Sequence, residues 1–88
     1  MILHIISSNS PQTLNQCLQM AADNDILLFI ENGVYLHKQT TNPVQSCFYL
    51  EADIRARGIQ GISPAHLIND AGFVQLVCDT DKSVSWYA

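Results

Sequence analysis

Ile26-Leu27-Leu28-Phe29-Ile30-Glu31-Asn32-Gly33 decides the fold of this chain. Five apolar residues in unbroken succession, without polar alternation, describe a strand buried on both faces, and the Glu-Asn-Gly that follows is turn chemistry at its carboxyl end, with Gly33 expected to supply a positive φ. Such a strand belongs at the centre of a parallel sheet, so the segments around it must supply neighbouring strands and crossover helices. Upstream, residues 2–6 form a second short apolar run. Ser7-Ser8-Asn9-Ser10-Pro11 then offers turn residues, Ser10 as N-cap and Pro11 at the first helical position, which predicts a helix over 11–22. Leu14, Leu18 and Ala21 share one face of it, Gln12, Gln16, Gln19 and Asp23 lie opposite, and Cys17 falls at the edge of the apolar stripe.

Downstream, residues 34–39 have room for a helical turn or two before Thr40-Thr41-Asn42-Pro43 breaks the pattern. A strand is predicted at 46–50 and a short helix at 51–57, with Glu51 and Arg55 at favourable i, i+4 order and Gly58 as its C′ residue. Residues 58–64 read as loop and 65–68 as a weak strand. Asn69 or Asp70 caps a helix over 70–79 that is expected to bury Phe73, Val74, Leu76 and Val77, and a last strand follows at 83–87. Strands alternating with helices make one domain over 1–88, a three-layer α/β/α arrangement around a mainly parallel sheet of about five strands.

Composition narrows the class of function. Hydrophobic residues make up 48% of the 88 and charged ones 14%, well below the roughly 25% of ordinary soluble domains. That deficit implies an exterior partly covered by other subunits. Four basic residues and a net charge of −4 leave no cluster for a phosphate backbone, so direct nucleic-acid binding is not expected. Asp25 and Glu31 bracket the longest apolar run, which is too short to span a bilayer. Cysteines 17, 47 and 78, odd in number and not closely paired, read as free thiols in a reducing cytoplasm.

Classical catalytic signatures are missing from the sequence. It has no glycine-rich phosphate fingerprint, no Gly-Lys-Ser/Thr loop and no nucleophile elbow, and the cysteine spacing gives no zinc site, so neither cofactor nor metal is expected. Cys47, in a strand, reads as core filler. Cys78, in a last helical turn beside Asp79, is a poor nucleophile, because helix C-termini and carboxylates both disfavour a thiolate. His4, His37 and His66 read as structural, with His4 in the first strand the one that matters most. Arg55 and Arg57 are either helix caps and surface ion pairs or interface anchors, and Trp86 and Tyr87 either complete the core or anchor a neighbour.

Taken in order, Ile2-Leu3-His4, the run from Ile26 to Val34, Asp53-Ile54-Arg55-Ala56-Arg57-Gly58, Ala71-Gly72-Phe73-Val74-Gln75-Leu76 and Trp86 resemble the TusB/DsrH family over nearly the whole chain. The resemblance implies the small subunit of a cytoplasmic sulfur-relay complex. In that family it joins TusC/DsrF-like and TusD/DsrE-like subunits in a two-fold heterohexamer that takes sulfur from a TusA-like donor. The Tus branch passes sulfur through a TusE-like acceptor toward 2-thiouridine formation at the tRNA wobble position, whereas the DsrH branch serves oxidation of stored sulfur. DsrH-like members carry a cysteine in the first helix, where Cys17 stands before Leu18 and Ala21, so Cys17 is the candidate persulfide carrier. A persulfide step needs a thiolate, yet no Lys or Arg lies within a turn of Cys17. Three readings stand: a sulfur carrier acting through Cys17, a non-catalytic structural subunit, and a stand-alone homo-oligomer that binds a small ligand.

Overall fold

The computed structural model describes residues 1–40 and 43–87. Strands β1 (Ile2–Ile6), β2 (Ile26–Phe29), β3 (Ser46–Leu50), β4 (Leu67–Ile68) and β5 (Lys82–Trp86) alternate with helices α1 (Pro11–Met20), α2 (Glu51–Ala56) and α3 (Asp70–Asp79), and 3-10 helices cover Glu31–Gln39 and Pro64–His66. All strand pairs are parallel, in the order β4-β3-β2-β1-β5. β2 is the central strand, as its unbroken apolar run requires. The steps from β1 to β4 all move in one direction, so right-handed crossovers put α1, the 3-10 helix over Glu31–Gln39 and α2 on one face. The step from β4 to β5 returns across the whole sheet and carries α3 over the other face.

Local chemistry sets the helix ends. Ser10 Oγ accepts from the Thr13 amide and Asn69 Oδ1 from the Gly72 amide, one bond at each N-terminus. α1 stops at Met20 rather than running on to 22, because Asp25 Oδ2 takes the Ala22 amide at 2.9 Å and draws the chain into a turn. α2 ends in a Schellman motif: Gly58 N–H bonds Arg55 O, Ile59 N–H bonds Ile54 O, and Gly58 has φ +63°. Residues 36–39 lie in the 3-10 helix, and Gln45 is buried, its side chain donating to Ala22 O. The break expected at Thr41 and Asn42 lies outside the described residues.

The two sheet faces are unequal. On the three-helix side Ile6, Leu27, Phe29, Cys47 and Tyr49 meet Leu14 and Cys17 of α1, Val34 and Leu36 of the 3-10 helix and Ile54 of α2. The Phe29 and Tyr49 rings stack there with centroids 5.0 Å apart. On the other side Leu3 and Leu28 are fully buried, while Ile5, Ile26, Phe48, Leu50 and Ile68 are only half-buried. α3 was expected to bury Phe73, Val74, Leu76 and Val77, but none of its residues is buried, and Val74 is 63% exposed. One ten-residue helix cannot cover a five-stranded sheet face, and its apolar residues spread around the helix rather than forming one stripe.

Candidate functional site

Ligands of open α/β sheets bind beyond the carboxyl ends of the strands. At the end of β2, Glu31 adopts φ +51°, a left-handed conformation rare for a side-chain-bearing residue. Its amide donates to Asp53 Oδ2 at 2.7 Å, so α2 holds the bend. Arg57 donates through Nε and Nη2 to Asn32 Oδ1 at 3.2 and 3.1 Å, and through Nη1 to Asp53 O at 3.3 Å and Asp53 Oδ1 at 3.5 Å. Its guanidinium also lies 5.9 Å from the Tyr35 ring centroid. The positive φ expected at Gly33 is therefore found at Glu31. Gly33 is needed for another reason: a Cβ there would come 2.1 Å from Ile6 O. Arg57 bonds both Asn32 and Asp53, and with the Glu31 amide on Asp53 this cluster latches α2 to the end of β2. Arg55 reaches Glu51 at 3.4 Å on the surface.

The thiols lie apart from this latch. Cys17 is 0% exposed, inside the core cluster rather than at the edge of the stripe, and Thr13, Leu14 and Cys17 form the buried face of α1. Burial, with Cys47 and Asp25 nearby, pushes the Cys17 thiol up to about 12. Cys47 is buried in β3, donates weakly to Gln45 O at 3.7 Å, and is pushed by burial to about 11. Cys78 is exposed on α3. A persulfide donor has no path to either buried sulfur in this conformation, and neither is a thiolate at neutral pH. Among the described residues no three His, Cys, Asp or Glu side chains group closely enough to hold a metal ion.

His4 joins distant parts of the chain. Its Nε2 lies 2.9 Å from Asp25 Oδ2, and the Trp86 indole donates to its Nδ1 at 3.1 Å. Asp25, 3% exposed, also accepts from the amides of Ile2 and Ala22, each at 2.9 Å. Burial opposes its charge, but the bonds from His4, Ile2 and Ala22 outweigh it and hold the carboxyl at about 2. In the sequence Asp25 stands out only as a charge bounding the apolar run. Its signal was its place just before a buried strand, where parallel pairing brings it level with the start of β1. His37 and His66 are each tied to a backbone carbonyl, Nδ1 to Val34 O at 3.1 Å and Nδ1 to Cys47 O at 3.0 Å. Trp86 completes this network, while Tyr87 is 77% exposed.

Comparison with known proteins agrees with this architecture. The chain is similar to the solution structure of Tm0979 from Thermotoga maritima, with a TM-score of 0.65 and 22% identity over 92% of this chain and 95% of that one. At that identity the likeness establishes the shared fold. No curated protein matches significantly. The family model described as DsrH like protein matches residues 7–83, which span every element from α1 to the first residues of β5. This chain belongs to the DsrH-like family.

Proposed function

We propose that this chain is a structural subunit of a sulfur-relay complex, with the persulfide carried by thiols of its partners. The observation that carries the reading is the sealing of Cys17: it is fully buried, its thiol is pushed to about 12, and it fills core space beneath α1. A carrier sulfur has to be reached by both donor and acceptor and has to ionise. Membership of the DsrH-like family supports the relay part of the reading. The subunit part is supported by the face under α3, where Ile5, Ile26, Phe48 and Leu50 remain half-buried and Val74 and Val77 are exposed. Apolar surface of that kind marks association sites.

The partners proposed are TusC/DsrF-like and TusD/DsrE-like subunits in the cytoplasm, with a TusA-like donor and a TusE-like acceptor meeting the complex through them. The test is native purification without reductant, then alkylation and mass spectrometry of every subunit. The expected result is co-purified larger homologues with extra sulfur on their own cysteines and a plain thiol at Cys17. Extra sulfur on Cys17 would transfer the carrier role to this chain, and a chain recovered alone would remove the complex. The acceptor recovered with the complex distinguishes 2-thiouridine formation from sulfur oxidation.

A further inference from the structure

β5 is an edge strand of five residues, and its outer side has the means to pair with itself. The Trp86 carbonyl accepts from the Ser7 amide at 3.0 Å, so the backbone of Trp86 faces β1. Strand alternation then turns the backbone of Val84 toward β1 and the N–H and C=O of Ser83 and Ser85 outward. Ser83 and Ser85 are exposed, and nothing among the described residues pairs with their outer side in the sheet order. Natural edges are blunted by proline, bulges or inward-pointing charge. This one carries only Lys82 at its first residue.

We propose that β5 pairs antiparallel with β5 of a second copy of this chain, with the two-fold axis passing between the two Val84 residues. In that register Ser83 stands opposite Ser85 of the second copy, and the two exchange both of their backbone bonds, as their outward-facing groups require. Val84 then faces Val84 at a close non-hydrogen-bonded position, where β-branched pairs are favourable. Lys82 faces the half-buried Trp86 of the other copy, an ammonium beside an indole, and the same contact recurs across the axis. No charge meets its like along β5, since Lys82 is its only charged residue and lies at one end. A shift by one residue in either direction would set outward-facing groups against inward-facing ones; a shift by two keeps the hydrogen-bonding pattern but takes Lys82 away from Trp86 of the other copy and Val84 away from Val84. The result is a continuous ten-stranded sheet across two copies.

This pairing does not depend on the relay reading, and the purified chain alone tests it. Sedimentation equilibrium on the chain should show a dimer that dissociates on dilution, and hydrogen exchange should show Ser83 and Ser85 amides protected in the dimer and free in the monomer. Ser85→Pro removes an outward N–H that β1 does not use, a position where an edge strand accepts proline. It should weaken dimerisation by about tenfold or more. A monomer at every concentration overturns the proposal, whether or not larger homologues bind this edge. So does a dimer that Ser85→Pro leaves intact, and so does unprotected exchange at Ser83 and Ser85 in dimeric wild-type chain, a measurement that needs no variant.

Discussion

The Trp86 indole N–H donates to Nδ1 of His4 across 82 residues of sequence, and this bond determines where the imidazole proton resides. Indole is only a donor, so Nδ1 has to be the accepting nitrogen and Nε2 carries the proton toward Asp25 Oδ2. The edge strand β5 is thereby tied through β1 to the turn before β2. A neutral His4 with the proton on Nε2 should be visible in nitrogen chemical shifts. Trp86→Phe keeps the aromatic packing and removes the donor. It should cost about 1–2 kcal/mol in urea unfolding, and a variant as stable as wild type would show that the bond contributes nothing net.

Asp25 gives a prediction with a definite pH window. Its carboxyl is held at about 2 in the fold, below the ordinary 3.8. A depressed folded value means that the charged form stabilises the fold above about pH 4, and that this stabilisation is lost as pH falls from there toward 2. Asp25→Asn leaves a neutral amide among three donors and should destabilise the fold by about 2 kcal/mol at neutral pH. Its stability curve should also be flatter between pH 4 and pH 2. Parallel acid-unfolding curves for the two proteins would place the acid sensitivity elsewhere.

Gly33 and Glu31 invert the usual expectation for a glycine turn. Gly33→Ala would push a methyl to 2.1 Å from the Ile6 carbonyl, a backbone atom that cannot move without disturbing β1. It should cost about 3 kcal/mol or more, or prevent folding. Glu31→Gly relieves a left-handed φ of +51° on an exposed residue and should stabilise by about 0.5–1 kcal/mol. Thermal unfolding of both variants decides the pair, and destabilisation by Glu31→Gly would mean that the Glu31 side chain makes a contact worth more than the strain.

Where periodicity and caps were local, the sequence was sufficient. The unbroken run of β2 placed it at the sheet centre, Ser10-Pro11 and Asn69 marked helix starts, and Gly58 marked a helix end, because each depends on neighbours a few residues away. What the sequence could not convey is which helices share a face. The apolar content of α3 points to burial of Phe73, Val74, Leu76 and Val77, yet the return crossover leaves it alone on its side with every residue at least partly exposed. Cys17 shows the same limit in reverse. A helical wheel puts it at the stripe's edge, whereas the fold sets it inside the core cluster with residues of β2, β3 and the 3-10 helix. The bonds of His4 to Asp25 and Trp86 run 21 and 82 residues away, beyond any local pattern.

The three cysteines should separate by reactivity in the native protein. Cys78 is exposed, whereas Cys17 and Cys47 are buried with thiols pushed to about 12 and about 11. Because alkylation needs access to the sulfur, iodoacetamide at neutral pH should label Cys78 ahead of the other two, which should react only at the rate of unfolding. Adding denaturant should bring all three to the same rate. Cys17→Ala should be tolerated at a cost of about 1 kcal/mol, since it removes one heavy atom from a packed site. Cys17→Ser, although closer in shape, should cost more, because its hydroxyl is a stronger polar group placed in an apolar core. Rapid labelling of Cys17 in the folded chain would mean that α1 lifts from the sheet often enough to admit a donor, and the case for a carrier would then rest on the frequency of that opening.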